Sequence, residues 1–255
     1  MSEDDAKREH RPRPLRGLLW REMRLEWRTR ETVLATGLFA VIVALILSFT
    51  VAEHVVASLP GLAAEQPQTA RLQAGEVAGL IWVAFTFATT LGLGRAFARE
   101  REAGGGGMDA LLLIPADWCL IFLAKLLATL AFTLFAHTAT LLVFVVLLAL
   151  EVTVATLAWI LLVALVATLG HVALGLVVAA LTSSLRAREV LLPVLLLPLL
   201  IPLFLAATEA TALALTGFLL PGAWHGFLQS LLFLLMLDVL YLGLGFLLFP
   251  VVLRE

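Results

Sequence analysis

Few side chains in this sequence could do chemistry: three carboxylates set among apolar residues, five histidines, one cysteine and one run of glycines. Glu189 stands beside Arg186 and Arg188, so its charge has partners close by and it reads as structural. Asp238 lies deep in an apolar stretch without a basic neighbour, where a carboxylate needs a partner on another helix; Tyr241 or a threonine could supply one. Glu209 closes a proline-rich apolar run and is a candidate for contact beyond the membrane. His54 and His225 lie near the ends of apolar runs and join Glu209 in that role. His137 and His171 fall inside such runs, where a neutral imidazole bonded to a neighbouring helix is inexpensive. His10 belongs to the polar N-terminal tail. No histidine spacing matches a metal-ligand set. Cys119 alone forms neither an intrachain disulfide nor a cysteine metal cluster. Gly104–Gly107 runs into Met108-Asp109, not into the Lys-Ser/Thr that grips phosphate and metal, so it reads as a flexible joint. With no nucleophile–base pair at catalytic spacing, the chain is not expected to be an enzyme. Nucleotide-driven work would have to come from a separate protein.

Two further constellations suit contact with a surface. In residues 15–31, Leu15, Leu19, Trp20, Met23 and Trp27 fall on one side of a helix, and Arg21, Arg24 and Arg28 on another, with Glu26 and Arg30 intruding on the apolar side. Tryptophans at headgroup level and arginines reaching lipid phosphate predict an amphipathic helix in the membrane interface. The preceding residues 1–14 are charged and hold Pro12 and Pro14, so they are expected to be disordered. In residues 99–117, Arg99-Glu100-Arg101-Glu102 and four glycines lead to Met108–Asp117, a short amphipathic stretch stopped by Pro115. Its Leu111, Leu112 and Ile114 could fill a groove on a partner. The pattern alone fits equally well a loop that solvates the gap between two spans.

The elements that must position these groups are helices in lipid. Apolar residues make up 62% of the 255, and charged residues only 14%, well below the roughly 25% of a soluble domain. About 20 apolar residues cross a bilayer as a helix. Six stretches qualify: Val33–Ala52, Val77–Ala98, Cys119–Leu150, Thr153–Leu181, Val190–Ala207 and Phe227–Leu253. Residues 32–255 therefore read as an all-α domain of six spans, with Glu151 at the turn between the third and fourth. Pro193, Pro198 and Pro202 should bend the fifth span, and neighbouring helices must then satisfy the freed carbonyls. The connections Glu53–Glu76 and Thr208–Gly226 are expected on the far side, the second as a short re-entrant or interfacial piece. Six spans place both termini on one side. With Lys125 counted at the margin of the second connection, that side holds all the basic residues except Arg71. The positive-inside rule makes it the cytoplasm. The first apolar run is followed by no small-residue cleavage site and is read as a retained span.

Four stretches closely resemble the CcmB family, the haem exporter protein B family of bacterial cytochrome c maturation. They are LLWREMRLEWRTRETVLATGLFAV (Leu18–Val41), GLIWVAFTFATTLGLGRAFARERE (Gly79–Glu102), LLLIPADWCLIFLAKLLA (Leu111–Ala128) and RAREVLLPVLLLPLLIPLFLAATEAT (Arg186–Thr211). The resemblance implies a transmembrane subunit of an ABC-type complex in the bacterial inner membrane, with a fold like that of type-2 ABC exporters. There an interfacial helix precedes six spans, and the loop between spans two and three supplies a coupling helix. Arg99, Glu100, Arg101, Glu102, Asp109, Leu111, Leu112 and Pro115 become the expected ATPase contacts. The implied partners are a cytoplasmic ABC ATPase that binds the ATP, a tryptophan-rich haem-handling membrane subunit, a small single-span subunit and a periplasmic haem chaperone. Self-association fits the same assembly; nucleic acid does not. The implied activity is release of the haem-loaded chaperone on the periplasmic side. The partner's tryptophan-rich haem-binding motif is absent from this chain, so haem is handled by the complex and no residue here is assigned as its ligand. Where the family usually has a single glycine after the Arg-Glu-Arg-Glu run, this chain has four, which moves the boundary of the coupling helix but not its place.

A different function suits the same span pattern: a generic ABC-2-type permease exporting a lipid or other hydrophobic cargo through a dimeric pore. A cytochrome c phenotype separates the two readings.

Overall fold

Backbone groups in lipid must bond within their own segment, which leaves a long apolar sequence the α-helix as its natural form. In the computed structural model every described element is an α-helix. The structure describes Trp20 and residues 30–51, 59–96, 118–182 and 188–252. In chain order the helices are α1 (Arg30–Val51), α2 (Leu59–Glu65), α3 (Pro67–Ala96), α4 (Trp118–Leu147), α5 (Val154–Thr182), α6 (Arg188–Leu215) and α7 (Ala223–Val252). Five of them, α3 to α7, are long and apolar enough to cross a membrane. Helix α1 has 22 residues, and its described apolar stretch is Gly37–Thr50.

Three expectations need correction. The polar connection Glu53–Glu76 is largely helical among its described residues: it holds α2 and the first turns of α3. Both prolines there sit at helix starts, where the missing N–H has no intrahelical acceptor to lose; Pro67 is the first residue of α3. Helix α6 does not stop at Ala207 but continues through Glu209 to Leu215 despite its three prolines. The connection Thr208–Gly226 thereby shrinks to residues 216–222, and its expected re-entrant piece is the end of α6, a tight turn and the start of α7. Lys125 lies in the third turn of α4, within the span expected from Cys119, and is 4% exposed.

Helix ends follow local rules. Thr153 caps α5, its hydroxyl oxygen accepting the Thr156 N–H at 3.1 Å. Helix α6 ends in a Schellman turn, with the Phe218 N–H on the Leu213 carbonyl (3.3 Å) and the Gly217 N–H on the Ala214 carbonyl (3.0 Å). Gly217 takes the left-handed position at φ 64°. Helix α4 ends the same way, through Leu150 to Val145 and Ala149 to Val146, but the left-handed residue is Ala149, at φ 49°.

Helix α5 is the axis of the bundle. It packs against α3, α4, α6 and α7, and 72% of its most apolar window is buried, against 28% for α6 and for α7. The sequence explains this through small residues: Ala164, Ala167, Gly170, Ala173, Gly175 and Ala179 let neighbours approach closely. At Gly170 an added methyl would strike Asp238 Oδ1, Leu203 Cδ1 (2.9 Å) and Tyr241 Cδ2 (3.3 Å); at Gly175 it would strike Leu93. Helix α1 lies outside, on α3 and α4, and α2 rests on α3. The outer faces of α6 and α7 present Val190, Val194, Ile201, Leu232, Met236 and Val239, a surface suited to hydrocarbon.

Candidate functional site

Polar side chains within the bundle gather along the helices around α5. His137 of α4 is 1% exposed, and its ring stacks on Phe85 of α3 at 3.9 Å, nearly parallel. Its Nε2 lies 3.0 Å from Thr89 Oγ1 and 3.2 Å from the Phe85 carbonyl, and its Nδ1 lies 3.1 Å from Thr168 Oγ1 of α5. The Thr89 hydroxyl already donates to the Phe85 carbonyl (2.9 Å), so it can only accept from the ring. Nε2 therefore carries the proton, and Nδ1 accepts from Thr168. A neutral imidazole thus ties three helices together with every polar atom of the set satisfied. This is a structural role, and the sequence showed only the histidine, not its threonine partners.

His171 and Asp238 differ. Both are buried, and neither His171 Nε2 nor either Asp238 oxygen has a hydrogen-bond partner. His171 meets the edge of Phe204 of α6, ring centres 5.5 Å apart. The Asp238 carboxyl of α7 lies against Gly170 of α5. Tyr241, expected as a partner for Asp238, instead donates to the Leu199 carbonyl of α6 at 2.7 Å, within the proline-bearing segment. The prolines free the carbonyls of residues 189, 194 and 198, and that of Leu199 is not among them, so this bond ties α7 to α6 without serving a freed carbonyl.

A second polar set joins α3 to α6. Arg71 Nη2 lies 2.9 Å from Glu209 Oε1, with side chains 65% and 44% exposed. Such an exposed pair adds at most about 1 kcal/mol, so it marks position more than stability. Trp82 Nε1–H donates to Thr211 Oγ1 at 3.0 Å. Arg71 and Glu209 open onto a pocket of about 360 Å³ that also touches Pro67, Gln68, Pro221 and Gly222. On the same two helices, an apolar groove of about 370 Å³ runs between Gly79, Val83 and Phe87 on one side and Leu197 and Phe204 on the other. Thr86 beside it donates its hydroxyl to the Trp82 carbonyl (2.7 Å). At this end of the bundle Trp159, Phe218, Trp224 and Phe227 pack ring against ring, around Phe218 in left-handed backbone (φ 60°).

The residues singled out from sequence fall as follows. Glu209 is half-buried and ion-paired, and His225 is exposed at the start of α7, at the same end of the bundle. Trp20 is helical and 65% exposed. Arg21, Arg24, Trp27 and Arg28, His54, and all the expected ATPase contacts from Arg99 to Pro115 lie outside the described residues. Cys119 is exposed at the start of α4. Among the described residues no group of three His, Cys, Asp or Glu side chains converges as a metal site would require. Arg71 was legible only as the lone basic residue of its side. Its partner stands 138 positions away, on a stretch of α6 read from sequence as the end of a span.

Comparison with known proteins gives this bundle its place. A family model described as CcmB protein matches residues 14–245. The chain is 34% identical over 147 residues to heme exporter protein B of Pseudomonas aeruginosa, a match covering 58% of this chain and 63% of that relative. The aligned part is thus less than two thirds of the relative's length. The family match runs from the N-terminal tail to Gly245 in α7, and the chain belongs to the CcmB protein family.

Proposed function

We propose that this chain is the membrane subunit of an ABC-type complex of cytochrome c biogenesis. It couples ATP hydrolysis by a separate ATPase to release of a haem-loaded chaperone across the bacterial inner membrane. The observation that carries this reading is the family match over residues 14–245, together with a relative named for haem export. In this reading α1 joins the five long helices as a sixth span, both termini and residues 99–117 face the cytoplasm, and α2, the 216–222 turn, Glu209 and His225 face the periplasm. The weak Arg71–Glu209 pair and the proline-bearing α6 suit a bundle whose packing shifts during a nucleotide cycle. Arg99, Glu100, Arg101, Glu102, Asp109, Leu111, Leu112 and Pro115 form the ATPase contact, and Trp20, Arg21, Arg24, Trp27 and Arg28 anchor the N-terminal helix at the interface. ATP binds the partner ATPase. Haem is handled by the tryptophan-rich subunit and the chaperone, alongside a small single-span subunit.

Charge reversal tests the contact. Glu102→Lys and Asp109→Lys should each lower the ATPase recovered with the membrane subunit, with membrane insertion unchanged. Full recovery with both variants would reject the contact.

A further inference from the structure

Helix α3 carries both Arg71 and one wall of the apolar groove. Gln68, Arg71, Gly75, Gly79, Val83 and Phe87 recur at intervals of three and four and form one row that winds around the helix: each step of four turns it by about 40°, so Phe87 stands about 160° around from Arg71. Gly75 lies in sequence between Arg71 and the groove residue Gly79, and a methyl built on either glycine would meet nothing within 4 Å. Neither glycine therefore has a neighbour that closes the way from the polar pocket to the groove. From Arg71 to Phe87 it extends about 24 Å along the helix axis. One leaflet of a bilayer, headgroup included, is about 20–22 Å thick. The upper end offers a fixed pair of opposite charges, Arg71 and Glu209, on two different helices. The lower end offers mainly hydrocarbon and aromatic surface, with Thr86, Thr90 and Thr208 also in its lining, Val83 and Phe87 both exposed, and Phe39 of α1 edge-on to Phe87 at 6.4 Å.

A plus–minus pair above an apolar channel of leaflet length complements an amphiphile whose head carries a phosphate and an ammonium. We propose that the α3–α6 seam binds one zwitterionic phospholipid. Its phosphate meets the Arg71 guanidinium, its ammonium meets the Glu209 carboxylate, and one acyl chain lies over Gly75 and Gly79 against Phe87 and Phe204. An anionic head without an ammonium would share Arg71 with Glu209 and bring no cation of its own to the carboxylate, so the site discriminates between head groups. Only one Arg71–Glu209 hydrogen bond holds the pair, which leaves donor capacity on the guanidinium fork for the phosphate.

The full chain is extracted in mild detergent from vesicles holding equal phosphatidylethanolamine and phosphatidylglycerol, and retained lipid is read by native mass spectrometry. One phosphatidylethanolamine per chain should be retained, favoured about tenfold over phosphatidylglycerol. Gly79→Leu, which fills open space, and Arg71→Glu should each cut retention about tenfold. The exchange Arg71→Glu with Glu209→Arg should recover it, since the swapped pair still matches a zwitterion. Both charges are on the surface, so the exchange keeps the test decisive should Gly79→Leu fold poorly. The site is overturned by equal retention in all variants, by preference for phosphatidylglycerol, or by inorganic phosphate displacing the lipid. It is also overturned if Gly79→Cys in a Cys119→Ser background cross-links two copies in membranes, since a second chain would then fill the seam. No ATPase or chaperone enters the assay, so its outcome is independent of the proposed coupling function.

Discussion

His137 shows what an ionisable residue does when a bundle is built around it. Its ring lies on Phe85, Thr89 accepts its proton-bearing nitrogen, and Thr168 donates to the other. His137→Ala removes the stacked ring and the interhelical bonds to Thr89, the Phe85 carbonyl and Thr168, and leaves a cavity. It should lower stability by about 2–4 kcal/mol in reversible unfolding in detergent. A change within experimental error would show that α3, α4 and α5 do not depend on this bridge. From sequence the residue could be placed in the membrane and read as inexpensive if bonded. Its partners could not, because Thr89 and Thr168 lie 48 and 31 positions away. Asp238 was misjudged for a related reason. Tyr241, one helical turn away, was the natural partner, but its hydroxyl goes to the Leu199 carbonyl of α6.

At the scale of elements, apolar length located the long helices and local chemistry decided their ends. The apolar stretch Cys119–Leu150 was legible as a span, and the helix occupies Trp118–Leu147 of it, stopping at the turn around Ala149. Glu209 was read as a span end because charge and apolar run part company there. The helix passes straight through, since a surface carboxylate facing Arg71 costs little. Pro60 and Pro67, in a stretch read from sequence only as a connection, stand in the first turns of α2 and α3, where a helix tolerates proline. The matched turns after α4 and α6 make a sharper prediction. Gly217 adopts left-handed backbone freely, whereas Ala149 pays for its Cβ in the same role. Ala149→Gly should therefore stabilise the protein by about 0.5–1 kcal/mol in the same unfolding measurement, and a loss of stability would contradict the assigned turn.

The whole molecule has a polarity that the basic residues announce: Arg71 stands alone on its side of the sequence pattern, and it pairs with an acid of its own end of the bundle. Single cysteines in a Cys119→Ser background test the orientation that follows. A cysteine at Glu102 should react with an impermeant maleimide only from the cytoplasmic side, and one at His225 only from the other; reversed labelling would invert the bundle. Orientation matters because the proposed work is done at both ends, with nucleotide consumed beneath and a chaperone let go above. The direct measurement is chaperone release from the reconstituted complex of this subunit, its ATPase and the haem-handling partners. ATP should speed departure of the haem-loaded chaperone, and Glu102→Lys with Asp109→Lys should remove that acceleration while the complex without ATP behaves as before. Release at the same rate with and without ATP would contradict the coupling role assigned to this chain.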